Sequence, residues 1–205
     1  MPNLYSGNHD GRVQSSTVGS WAGARDDTAG SANVSQVYSS YFTEVSKFAS
    51  RGGGSSYRVS RSFIWFDTSG ISGTVSAATI KIRGYNANDG SVIAVKSDAF
   101  GGDGGSALAN ADFNNIVGYS TGSSLAGNAT DYSNTITSTS WSIGGYNDLT
   151  GTTDLKNDMK NNSVVIICFM DYTNDYLNSA LGSNTTLNYG GYYTDYSGTS
   201  RDPYI

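Results

Sequence analysis

The sequence predicts an all-β protein, a two-sheet antiparallel β-sandwich of jelly-roll type with long loops and one short helix. Three observations carry that expectation. Charged residues make up only 14% of the 205 positions, against an average of roughly 25%, while Gly and Tyr are abundant and strong helix formers are scarce. Apolar residues come in short runs bounded by Gly, Asn or Asp, as in "YRVSRSFIWFD", "AATIKIRGY" and "SVIAVKSDAF". The segment "SVVIICFMDY" holds the most apolar run of all, which at an open sheet edge would invite aggregation and therefore belongs at a sheet centre.

Each element follows in chain order. Residues 1–56 are thin in large apolar side chains, with "DGRVQ" and "SQVYSSYFTEV" as their strand-like pieces, and read as an N-terminal arm or irregular edge segment contacting neighbours. Residues 57–205 read as the sandwich proper, the whole being compatible with one continuous domain. "FIWF" at 63–66 lacks alternation, as expected of a strand covered on both faces. In "TIKIRGY", Ile80 and Ile82 alternate with Lys81 and Arg83, so one face points inward and one outward. Residues 101–128 are loop-rich, interrupted by a short helix or turn at "LANADFNNI". In "NTITSTSWSI" the inward positions are Ile136 and Trp141. "TTDLKNDMKNN" is the helix, with Thr152 or Thr153 as its cap and Leu155 and Met159 four apart on one face.

Composition also excludes classes of partner. A net charge of -5 opposes phosphate binding, which needs clustered Lys and Arg, so no nucleic acid is expected. No segment approaches ~18 consecutive apolar residues, so no membrane insertion is expected. The single cysteine, Cys168, lies within the apolar run and reads as a small buried hydrophobe. A surface rich in Tyr, Ser, Thr, Asn and Gly suits an exported protein, yet "MPNLYSGNHD" carries neither the basic region nor the apolar run of a secretory signal. A virion protein, made in the host cytoplasm and working outside it, meets both conditions; an extracellular or cell-surface location is the alternative.

"SRSFIWFDTSGISGTVSAATIKI" resembles the opening of DNRLRE-type β-sandwich modules, in which an Arg and a hydrophobic strand precede Phe-Asp-Thr-Ser, a turn and an Ala-Thr-aliphatic strand. The resemblance extends to "ADF" at 111–113, "YNDL" at 146–149 and "DYSGTSRDPYI" at the end, and covers roughly residues 57–205. It implies a jelly-roll fold of the kind found in phage structural proteins and bacterial surface proteins. Members of the family usually carry one more strand after Asp-Pro-Tyr, which implies an open edge after Pro203 able to accept a partner's strand. The family's Arg, here Arg61, is expected to pair with Asp202.

Candidate sites are few. His9 is the only histidine and stands in a polar segment, so no Ser/His/Asp arrangement forms around it. Carboxylates for glycoside hydrolysis are available at Asp67, Asp103, Asp112, Asp171 and Asp175, but Asp in Gly/Ser/Asn loops usually bonds its own backbone, and no enzyme is expected. Asp98 and Asp103 flank a Gly-rich loop that could wrap a structural calcium ion; no other cofactor is expected. Tyr189, Tyr192, Tyr193 and Tyr196 form the candidate carbohydrate platform, against the alternative that alternate tyrosines pack into the sandwich with their hydroxyls at its rim. The sequons at Asn33, Asn128, Asn161 and Asn184 are no more than this composition yields by chance. These readings lead to a non-enzymatic virion protein of a tailed phage, a capsid-surface decoration or head-fibre appendage. Its partners would be other virion proteins and copies of itself. The alternative is a carbohydrate-binding module of an adhesin or tail receptor-binding protein, with a cell-surface glycan as ligand.

Overall fold

The structure, a computed structural model, describes residues 3–28, 31–33, 41–50, 53–194 and 198–205, with the backbone alone at 31–33 and 41. Among these residues the strands are β1 (Gly11–Gln14), β2 (Ser31–Asn33), β3 (Tyr41–Ala49), β4 (Ser55–Asp67), β5 (Thr79–Asn88), β6 (Ser91–Lys96), β7 (Ile136–Thr137), β8 (Tyr146–Thr150), β9 (Val164–Asp171) and β10 (Thr185–Gly191). Two short helices accompany them, α1 (Trp21–Arg25) and α2 (Thr153–Asn161). The chain is all-β, and every paired strand is antiparallel to its neighbour.

β4 organises the fold. Phe63 faces both Gly11 and Cys168, and Ser60 faces both Gln14 and Glu44, so β4 has one edge toward the N-terminal segment and the other toward β3 and β9. Residues 6–18 follow the first edge, from the Ser6–Phe66 bridge to the Val18–Tyr57 bridge. β3 takes the other edge over Ser55–Ser60 and β9 takes it over Ser62–Asp67. Where it is described, the segment at 1–56 contributes two sheet strands, β1 and β3, which satisfy backbone groups along the 13-residue β4. Residues 34–40, which carry part of the expected "SQVYSSYFTEV" strand, lie outside the described residues.

The layers join into a barrel-like ring. β8 pairs with β5, Lys81 of β5 with Tyr204, Tyr204 with Tyr5, and Ser6 with Phe66 of β4. β4 pairs with β9, β9 with β6, Val95 of β6 with Asp131, and Ser133 with Gly151 directly after β8. The expected open edge after Pro203 is thus filled within this chain. Tyr204 exchanges backbone hydrogen bonds with Lys81, and Ile205 exchanges them with Leu4. The sandwich remains, but its two layers are continuous through their rims.

The alternation of apolar residues explains two cores. Ile64 and Phe66 point into the ring, where they meet Ile80, Ile82, Leu149, Val165, Ile167 and Phe169. Phe63 and Trp65 point the other way, toward Cys168, Phe100, Phe113 and Leu125 under the long loop between β6 and β7. β4 is covered on both faces, as "FIWF" predicts. β9 lies between β4 and β6, also as predicted. α2 closes one end of the ring with Leu155 and Met159, and its cap is Thr152, whose hydroxyl accepts from the Leu155 N–H at 3.3 Å. "LANADFNNI" forms a 3-10 turn over Asn110–Asn114, and Trp141 is buried.

Candidate functional site

The five carboxylates considered for catalysis are committed to structure. Asp67 accepts from the Ser69 N–H at 2.9 Å, Asp103 from Gly105 at 2.8 Å, Asp112 from Ala109 at 2.9 Å and Asp171 from Asn174 at 2.7 Å, each within its own turn. Asp175 is fully buried and accepts from Arg61 Nε at 2.7 Å and Nη2 at 2.6 Å. This corrects the expected Arg61–Asp202 pair. The turn after β9 delivers Asp175 beneath Arg61, while the Asp202 carbonyl accepts from the Tyr146 hydroxyl at 3.1 Å. Arg61 also donates to the carbonyls of Phe113 and Arg25, and its guanidinium lies 4.1 Å from the Phe113 ring centroid. Burial works against the charged form of Arg61, but the Asp175 carboxylate outweighs it and raises its pKa further. The cluster ties β4, α1 and the loops over the second core; being buried, it offers nothing to a substrate. His9 is exposed in a turn, and burial pushes the Cys168 thiol well above its ordinary range.

Tyr189 and Tyr193 do not form an exposed platform. Both are in the core, Tyr189 donating to the Gly90 carbonyl at 2.6 Å and Tyr193 hydrogen-bonded to Ser62. β10 lies in the sheet between β3 and β5, and the two rings face inward, Tyr189 against Trp141 at 5.0 Å and Tyr193 against Phe42 at 5.4 Å between ring centroids. Tyr196 lies outside the described residues. Tyr192 is half-buried, edge-on to Tyr85 at 5.9 Å between ring centroids.

Tyr192 belongs to a different aromatic face. On the outer side of β5, Lys81, Arg83 and Tyr85 alternate with the buried Ile80, Ile82 and Gly84. Across the register, Lys81 pairs with Asp148 at 2.6 Å and Arg83 lies over the Tyr146 ring at 5.8 Å. Tyr146 packs edge-on against Tyr204 at 5.0 Å, Tyr204 meets Tyr5 at 5.7 Å, and Arg201 lies over Tyr192 at 4.9 Å. Tyr5 and Tyr85 remain 42% and 40% exposed. Gly84 allows the loop after Trp141 to close against β5, since a Cβ there would stand 2.2 Å from the Ser142 carbonyl oxygen. The alternation in "KIRGY" held the signal for half of this face; its other half comes from residues far from β5 in sequence and could not be read locally.

A polar cleft of about 460 Å³ opens between the end of β6 and the turn joining α2 to β9. It brings both calcium candidates, Asp98 and Asp103, together with Lys96, Tyr132 and Asn161–Val164. Lys96 Nζ reaches Asp158 Oδ2 at 2.9 Å, and the Tyr132 hydroxyl donates to the same oxygen at 2.5 Å. Burial opposes ionisation of Asp158, but these hydrogen bonds outweigh it and hold its carboxyl below the usual range. Gly104, at φ 76°, presses the loop onto Trp65. The Thr68 hydroxyl donates to the Asn162 carbonyl at 2.7 Å and fixes the other wall. No group of three or more His, Cys, Asp or Glu among the described residues is placed to hold a metal, so a calcium ion there would depend on uncharged oxygens beside the two aspartates. Lys96, Asn161 and Asn162 carried no sequence signal, because only the meeting of strand and helix ends makes them neighbours.

No protein-family model matches the chain, and no curated protein matches it significantly. Among the described residues no helix is long and apolar enough to cross a membrane.

Proposed function

We propose that this chain is a non-enzymatic binding protein of a tailed-phage virion, a capsid-surface decoration or head-fibre appendage. The observation that carries the binding role is the outer face of β5 and β8, where exposed tyrosines and two arginines gather on one rigid surface. Tyr and Arg are the residue types enriched where proteins dock: Tyr buries a large area with few rotatable bonds and keeps a polar tip, and Arg offers a planar guanidinium that stacks on rings while donating several hydrogen bonds. The low charge content, the all-β architecture and the resemblance to phage-associated jelly-roll modules support the virion setting. The partner proposed for this face is the neighbouring capsid subunit. The commitment of the carboxylates to turns and to Arg61 supports the non-enzymatic reading.

Co-sedimentation with particles lacking this protein tests it. The wild-type chain should sediment with the particles, and a Tyr85→Ala/Arg201→Ala variant should bind at least about ten-fold more weakly. Failure of the wild-type chain to sediment rejects the virion reading; equal binding by the variant rejects this face. A second reading, a carbohydrate-binding module of an adhesin or tail receptor-binding protein, is favoured by one observation, the polar cleft.

A further inference from the structure

We propose that the cleft between the 97–103 loop and the α2–β9 turn binds a neutral saccharide. This deepens the carbohydrate-binding reading and rests on it, while the capsid-docking face lies on other strands. The cleft's volume of about 460 Å³ falls within the ~300–1,000 Å³ typical of small-ligand sites. Val164 and Ile166 supply an apolar lining for a sugar ring, and Lys96, Asp98, Asp103, Asn161 and Ser163 supply polar groups around it.

Those groups divide into fixed and uncommitted ones. Lys96 is held by Asp158 through one of its three N–H bonds, and Asp103 by the Gly105 N–H, so both are set in place before a ligand arrives. The side chains of Asp98, Asn161 and Ser163 make no hydrogen bond to the described residues. Hydroxyls of a saccharide can donate to Asp98 and Asp103 and accept from Lys96 and Asn161, using both halves of each alcohol.

Charge selects the class of sugar. Asp158 balances Lys96, which leaves Asp98 and Asp103 as net negative charge on the walls. Uronic acids, sialic acid and phosphorylated sugars would be repelled, whereas a neutral hexose or N-acetylhexosamine carries no such penalty.

Amide NMR of the full chain, titrated separately with glucose, galactose, mannose, N-acetylglucosamine and glucuronate, tests the assignment. At least one neutral sugar should shift the amides of 97–103 and 161–164, with a dissociation constant on the order of 1 mM. Asp98→Asn and Asn161→Ala, both at exposed positions, should each weaken it about ten-fold with unchanged thermal unfolding. No shift from any neutral sugar at about 50 mM, or tighter binding of glucuronate, overturns the proposal. So do shifts confined to the Tyr85–Tyr192 face, shifts that require added calcium, or shifts unchanged in both variants. Particle co-sedimentation is read separately, so either reading can fail alone.

Discussion

Asp171 ends β9 as a buried residue, 2% exposed, and its carboxylate caps the following turn by accepting from the Asn174 N–H. Burial pushes its pKa up to about 6, with the neighbouring Asp175 charge adding to the effect. The same carboxyl in the unfolded chain titrates near ~3.9. Between those values the folded state binds more protons than the unfolded state, so stability falls as pH rises through the window. The loss is complete above about pH 6 and is on the order of 2–3 kcal/mol. Urea denaturation at intervals from about pH 4 to about pH 7 should show this slope, and Asp171→Asn should flatten it. Asp67 and Asp158, whose carboxyls lie below the usual range, contribute the opposite slope, but only as pH falls below the ordinary carboxylate value. At Asp175 the expectation concerns charge. Asp175→Ala leaves Arg25 and Arg61 buried without their shared carboxylate and should cost about 3–5 kcal/mol, measurable as a lower urea midpoint. "SRSFIWFD" marks Arg61 as a charge set among apolar residues, but its partner lies 114 residues away, beyond the reach of local pattern.

β4 shows how much a single element discloses. Its consecutive apolar residues predict cover on both faces, and the structure supplies one core for Ile64 and Phe66 and another for Phe63 and Trp65. Phe66→Ala should therefore cost about 3–5 kcal/mol, since the ring is fully buried and its neighbours belong to a closed wall that relaxes little. A variant melting as wild type would show that this strand is not the scaffold described. α2 was equally legible, because its cap and its four-residue apolar spacing are local. β10 was not. "LNYGGYYTDY" fits a packed strand and an exposed platform equally well, and only its position between β3 and β5 turns Tyr189 inward.

At the scale of the whole molecule, the ring is closed where residues 4–6 meet residues 203–205. Leu4 and Ile205 both pack against the inner core, and the segments that carry them fill the gap between β4 and β5. Deleting Tyr204 and Ile205 removes four backbone hydrogen bonds, two to Lys81 and two to Leu4. At about 0.5–1.5 kcal/mol net for each bond, the loss should be on the order of 2–6 kcal/mol. Hydrogen exchange should then be faster at Lys81 and Leu4 than in β9. Unchanged protection at Lys81 would mean that the ring is closed by other contacts. The same closure places the Tyr/Arg face, since Tyr5 and Tyr204 join Tyr146 only because Tyr204 bridges Lys81 of β5 and Tyr5 bridges Tyr204.

Local pattern in the amino-acid sequence specifies the all-β class, the central place of β9, the double cover of β4, the inward and outward faces of β5, and α2 with its cap. These follow from side-chain period and capping chemistry within a few residues of one another. Tertiary structure alone decided the ring closure, the pairing of Arg61 with Asp175, the burial of Tyr189 and Tyr193, and the meeting of Lys96, Asp98 and Asn161 in one cleft. Each depends on contacts between residues far apart in the chain, where strand pairing and burial of the whole core select the partner and local pattern carries no information about it.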